Sequence, residues 1–158
     1  VPELSATVNR LEVPMHEPRA YLGMAVTYAL SPRGACHMEG DMFSLDLGQS
    51  NVEDVGLVPG DRHDNTFEKG RVAARLQAWR NLYNSLTLCQ FENPGVQPLL
   101  AAVNAATGWG LESEDLMTLG KSKINIKRLL NFKLGLTKAS DRLPELMLKP
   151  LKEGGSAG

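Results

Sequence analysis

Phe67, Val72, Leu76, Trp79, Leu82, Tyr83 and Leu86 recur at spacings of mostly three or four residues. That period places them along one side of a helix of about 20 residues. An apolar stripe this long needs other elements to cover it, so it governs how the rest of the chain can fold. Asp64 or Asn65 can cap its start, and Asn93-Pro94-Gly95 breaks the pattern beyond its end. Leu99 to Thr107 reads as a short apolar helix stopped by Gly108. Ser113 then caps another, with Glu114 and Asp115 in a first turn where acids suit the helix dipole. Leu116, Leu119, Ile124, Ile126, Leu129, Leu130 and Phe132 form its stripe, which ends at Gly135.

The first part of the chain is less regular. Residues 1–18 are polar and punctuated by Pro2, Pro14 and Pro18, and read as an extended leading segment. Pro18 suits the first turn of a helix over Ala20–Leu30, and the alternation of Leu22, Met24, Val26, Tyr28 and Leu30 also allows a strand. Ser31-Pro32 ends it, because a residue before proline is pushed out of helical backbone space. Residues 31–64 hold many Gly, Asp and Pro, and a loop of that length is usually functional or partly helical. Asp141 to Lys152 adds a short helical turn, and Gly154 to Gly158 reads as a flexible tail. No internal repeat and no alternation of strand and helix is found. The fold class expected is all-α and multihelical. Residues 1–64 supply a helix and a functional loop, and residues 65–158 a helical bundle.

Composition narrows the function classes. Among 158 residues 42% are hydrophobic and 22% charged, ordinary for a globular protein. A net charge of −1 gives no global field toward nucleic acid or an anionic membrane. The densest basic run, Lys121 to Lys133, reads as a solvated helix face. No apolar run reaches the roughly 18 residues of a membrane helix. The first residue is Val1, so the start reads as processed or excised. Two cysteines, Cys36 and Cys89, are too few for a secreted disulfide scaffold, and buried thiols in a reducing cytoplasm are the plain reading.

Chemistry, if present, sits in two places. Arg33-Gly34-Ala35-Cys36-His37 follows the first helix and joins a planar fork for phosphate or carboxylate to a group that moves protons near neutral pH. Asn84-Ser85-Leu86-Thr87-Leu88-Cys89 closes the long stripe. A thiolate there is a candidate ligand for a soft metal or cluster, but one cysteine cannot hold a cluster alone. Each string also has an ordinary reading, as a loop arginine, a satisfied histidine, a polar helix residue and a core thiol. His16 and His63 read as solvated loop residues, and Trp79 and Trp109 as core. No glycine-rich phosphate loop, paired-cysteine motif or nucleophile elbow occurs.

Read together, the segments resemble the aldehyde ferredoxin oxidoreductase family. Glu12-Val13-Pro14-Met15-His16-Glu17-Pro18-Arg19 is similar to the family's E-x-P-x-x-D-P-R, and Arg33 to His37 matches its R-G-A-C-H. Asn84 to Cys89 is similar to its D-x-x-G-L-C. Leu119-Gly120, the helix to Asn131, and Asp141-Arg142-Leu143-Pro144 follow its C-terminal pattern in order. The resemblance implies the helical C-terminal portion of a larger oxidoreductase, with tungsten or molybdenum between two pterin dithiolenes (tungstopterin) beside a 4Fe-4S cluster. An N-terminal pterin-cradling β domain and an upstream C-x-x-C-x-x-x-C motif would lie in the remaining N-terminal part of the same protein. By the same resemblance, Cys89 is the fourth cluster ligand and Asn84, Leu88 and Gln90 meet the pterin. Arg33 meets pterin or its phosphate, and His37 is the catalytic proton donor or acceptor. The implied reaction oxidises a small aldehyde to a carboxylic acid and passes electrons to ferredoxin. The implied setting is cytoplasmic, with a homodimer as one assembly and neither nucleic acid nor membrane as partner.

Three positions depart from the pattern. Asn84 replaces the family aspartate, and Thr87 replaces its glycine, which points to different local backbone or less room. Glu39 stands where lysine is frequent, at the cofactor side, and would repel pterin or phosphate oxyanions. These departures keep two alternatives open: a relative that reduces aromatic acyl-thioesters, and a cofactor-free helical module. On either reading the 158-residue chain alone is expected to be inactive.

Overall fold

A computed structural model describes residues 5–151. The fold is mainly helical, as expected. A two-stranded hairpin, β1 (Thr7–Val8) and β2 (Leu11–Glu12), precedes α1 (Leu22–Leu30) and α2 (Met42–Asp46). Then come α3 (Phe67–Ser85), α4 (Val96–Thr107), α5 (Ser113–Lys133) and α6 (Glu145–Leu148). Short 3-10 turns lie at His37–Glu39, Glu53–Val55 and Lys138–Ser140.

α3 is the central element. Its second half, from Leu76 through Tyr83, is buried without interruption. The expected stripe supplies Leu76, Trp79, Leu82 and Tyr83, and burying each such side chain is worth about 1.5–3 kcal/mol. Phe67, counted in the same stripe, is exposed at the helix start. Most of the tertiary packing on α3 comes from α5 and α1. The approach of α5 is closest at Gly120, where a Cβ would sit on the carbonyl of Ala78, 2.7 Å from its carbon.

Polar residues on α3 are buried too, and each holds another segment. Gln77 donates to the Thr27 carbonyl of α1 at 3.3 Å. Arg80 forks onto Asp41, Nε to Oδ1 at 2.6 Å and Nη2 to Oδ2 at 2.8 Å. Its Nη1 reaches Asn93 Oδ1 at 2.9 Å. Asn81 donates to Glu39 Oε2 at 2.9 Å. One helix therefore fixes the loop before it and the loop after it. Nearer its start, buried Lys69 pairs with Asp46 at 2.8 Å.

Several expected boundaries shift. The leading segment holds a hairpin rather than a plain extended run. α1 begins at Leu22, four residues after Pro18, and ends before Pro32 with Ser31 extended, as the proline requires. The long loop carries α2 and two 3-10 turns. Thr66 is the N-cap of α3, while Asp64 accepts its N–H at 2.8 Å. α4 starts at Val96 and ends at Gly108. Glu112, not Ser113, caps α5 in a capping box with Asp115. α5 stops at Gly135 as expected, with Leu136 N–H returning to the Asn131 carbonyl at 3.0 Å. Trp79 is core, but Trp109 is exposed. The tail from Gly154 to Gly158 lies outside the described residues.

Two substitutions probe this frame. Gly120→Ala forces α5 off α3 and should lower stability by roughly 2–3 kcal/mol in urea unfolding; an unchanged midpoint would show that the helices part freely. Arg80→Met strands the Asp41 carboxylate in the interior and should lower stability by roughly 3–5 kcal/mol. Adding Asp41→Leu should restore much of it, and a double variant as weak as the sum of both singles would contradict the pairing.

Candidate functional site

The R-G-A-C-H segment turns tightly out of α1. Gly34 has φ +101, and a Cβ there would meet the Val8 carbonyl oxygen and Leu11. Glycine is thus required both by the backbone and by the hairpin lying against it. Arg33 is exposed; its Nη1 reaches Cys36 Sγ at 3.6 Å, and its N–H bonds Ser31 Oγ at 3.2 Å. Cys36 is buried and free, a core thiol. His37 is half-buried at the start of its 3-10 turn.

Glu39, two residues on, is 3% exposed. Lys127 of α5 donates to Oε1 at 2.9 Å and Oε2 at 3.2 Å, and also to Asn81 Oδ1 at 2.9 Å. The expectation that Glu39 presents a repelling charge at the cofactor side is corrected: its carboxylate faces inward and is neutralised. Lys127, counted in a solvated basic face, is the partner that does so.

The second segment leaves the end of α3. Asn84 is in the last turn, exposed, and its amide bonds none of the described residues. Thr87 has φ +56, the left-handed region a glycine adopts freely. The backbone at Thr87 therefore adopts a conformation that glycine reaches more easily than a β-branched residue. Leu88 is half-buried against the core, and its N–H is already given to the Tyr83 carbonyl at 3.1 Å. The Leu88 carbonyl accepts from no backbone N–H of the described residues. Cys89 is free and exposed, four residues beyond the helix.

The two segments meet. Gln90, next to Cys89, donates Nε2 to the Met38 carbonyl, next to His37, at 2.7 Å. Arg80 reinforces the junction from below through Asp41 and Asn93. His37, Cys89 and Gln90 thus share one end of α3, with Asn84 on its last turn. Arg33 lies on the α1 side of that loop, with its guanidinium turned toward Cys36. Among the described residues no three His, Cys, Asp or Glu side chains are grouped to hold a metal ion.

Sequence reasoning missed Gln77, Arg80, Asn81, Lys127 and His16. The α3 residues carried a usable signal: Gln77, Arg80, Asn81 and Asn84 recur at helical spacing as a polar row beside the apolar one. His16, expected in solvent, is half-buried and stacked on Phe43 with centroids 3.7 Å apart. Burial holds its imidazole below the usual range, and the nearby His37 adds to this while Asp41 opposes it.

Residues 1–158 match the family described as aldehyde ferredoxin oxidoreductase, domains 2 and 3. A tungsten-containing aldehyde ferredoxin oxidoreductase of Pyrococcus furiosus is 35% identical over 99% of this chain, which covers 26% of that protein. The protein of the same description from Thermococcus kodakarensis is 34% identical over 99% of this chain and is covered to 26%. A third, from Pyrococcus abyssi, is 32% identical over 96% of the chain. The chain spans about a quarter of the length of the curated relatives it matches. It belongs to the aldehyde ferredoxin oxidoreductase family.

Proposed function

We propose that this chain is the helical C-terminal part of a tungsten pterin oxidoreductase that oxidises an aldehyde to a carboxylic acid. The observation that carries the reading is the Gln90–Met38 hydrogen bond, which joins the His37 segment to the Cys89 segment at one end of α3. The relatives' description as tungsten-containing aldehyde ferredoxin oxidoreductases supports it. The overall change is RCHO + H2O → RCOOH + 2 e⁻ + 2 H⁺, with ferredoxin as the electron acceptor.

The donor set suits one corner of such a site. An exposed thiol on a strained turn can give one thiolate to a 4Fe-4S cluster whose other ligands come from elsewhere in the longer protein. The Asn84 amide, which bonds none of the described residues, can both donate to and accept from a pterin edge. Leu88 offers its carbonyl, and Gln90 holds the turn by its side chain. Arg33 keeps guanidinium donors free for an anionic group. On this reading Glu39 serves as internal support, paired with Lys127 and Asn81. When bound, the tungstopterin and cluster supply the two-electron redox chemistry. His37 takes a proton as water adds to the carbonyl carbon, and returns it to solvent.

The remaining three quarters of the protein also has a place to dock. Ile126, Leu129, Leu130 and Leu134 are more than half exposed along the last turns of α5. No helix of the described residues is long and apolar enough to cross a membrane. We place the protein in the cytoplasm, where Cys36 and Cys89 stay reduced.

The alternatives are a relative that reduces aromatic acyl-thioesters, which the Asn84 departure still favours, and a cofactor-free module, for which the inward pairing of Glu39 removes one argument. Metal content of protein purified anaerobically from the complete reading frame tests the reading: about four irons and one tungsten per chain are expected. A folded, metal-free product in tungsten-supplied cells would sink it. Cys89→Ser should lose iron with the fold intact, and unchanged iron would remove Cys89 from the cluster. His37→Asn should reduce turnover about 100-fold or more with metal content largely kept; equal loss of both would make His37 structural.

A further inference from the structure

Three rings from three separate stretches converge beside the 3-10 turn. His16, from the segment after β2, lies flat on Phe43 of α2, with centroids 3.7 Å apart and planes inclined by 9°. Its centroid is 4.9 Å from that of His37, at 59°. His37 and Phe43 are themselves 6.4 Å apart. The backbone of His16 is anchored from below, where fully buried Tyr28 donates its hydroxyl to the His16 carbonyl at 3.1 Å. Glu17 and Arg19 lock the next residues through a two-pronged pair, at 2.7 and 2.8 Å. The His16 ring itself bonds none of the described residues.

The geometry points to His16 as a positioning residue for His37: the ring stacked on Phe43 sets the place of its neighbour. This rests on His37 as the proton-carrying group. Two imidazolium ions at such a separation repel, so a charge on His37 disfavours one on His16. Burial first, and then the His37 charge, holds His16 below the usual imidazole range. Asp41 favours the charged ring, but its carboxylate is committed to the Arg80 fork. The other ionisable neighbours stay fixed. Burial pushes the Tyr28 hydroxyl up, and Arg19 holds the Glu17 carboxyl down. His16 is therefore an imidazole whose charge the neighbouring ring opposes.

Exchange of the imidazole C2 hydrogen, read by mass spectrometry on the full-length protein, gives each histidine its own titration midpoint. Arg19 and Arg33 let trypsin separate His16 from His37. In His37→Gln the His16 midpoint should rise by about half a pH unit or more, because a like charge has gone. His63, exposed and distant in sequence, should not move. An unmoved His16 midpoint overturns the proposal. A second arm uses His16→Phe, which keeps the stack and removes the titration. Tungsten content and KM should hold while the pH profile of kcat moves; a profile superimposed on that of the native protein overturns the proposal equally. The exchange arm needs neither metal nor aldehyde. A shifted midpoint in a protein without tungsten would thus sink the oxidoreductase reading and leave the coupled pair standing.

Discussion

The fork from Arg80 to Asp41 is the interaction on which the site depends. Arg80 is 1% exposed and its three nitrogens are all engaged, two by Asp41 and one by Asn93. Asp41 lies in the loop after α1, and Asn93 in the loop after α3. A single side chain thus joins the two stretches that carry His37 and Cys89. Apolar packing could hold either loop near α3, but it is non-directional and would leave each free to slide. The guanidinium fork fixes both distance and angle. Its plane also lies 5.3 Å over the Tyr83 ring, and Tyr83 donates to the Pro94 carbonyl, so the second loop is gripped again beyond Asn93.

The same logic explains why so many charges are inside. Buried ion pairs rarely stabilise a fold better than apolar residues of the same shape. Glu39 with Lys127 and Asn81, Asp46 with Lys69, and Asp41 with Arg80 are therefore poor devices for stability alone. Each instead links α3 or α5 to the irregular stretch between α1 and α3. That stretch has only the five-residue α2 and two 3-10 turns of its own. Its conformation is dictated from outside, by helices whose positions are set first by apolar burial. Gly120 on Ala78 brings α5 close enough for Lys127 to reach Glu39. A packing contact at one turn of α5 thereby enables an electrostatic contact two turns later.

The helices were legible because apolar spacing reports burial directly: the stripes of α3 and α5 name both elements and most of their inward residues. The hairpin was not. Its turn residues Asn9 and Arg10 both have positive φ, 49° and 67°, and a tight turn of that kind normally announces itself with glycine. α2 is too short to show a period. The C-terminal half of the α5 stripe misled in another way, since Leu129 and Leu130 belong to the apolar pattern but stay more than half exposed among the described residues. For the site, residue type was visible and direction was not. Arg33, His37 and Cys89 could be picked out from their strings. Whether Glu39 pointed outward depended on Lys127, 88 residues away, which no local pattern encodes.

Thr87 and Asn93 carry the reasoning one step further. Both are non-glycine residues with positive φ, 56° and 38°, and they stand two before and four after Cys89. Left-handed backbone costs an L-residue about 1–2 kcal/mol, and a β-branched side chain tolerates it least. Such strain persists only where surrounding contacts over-determine the path. Here those contacts are identifiable. Leu88 N–H is tied to Tyr83, Gln90 to Met38, and Asn93 to Arg80. The turn is bent against preference at Thr87 and clamped at three points, so the exposed sulfur of Cys89 within it is held in one direction.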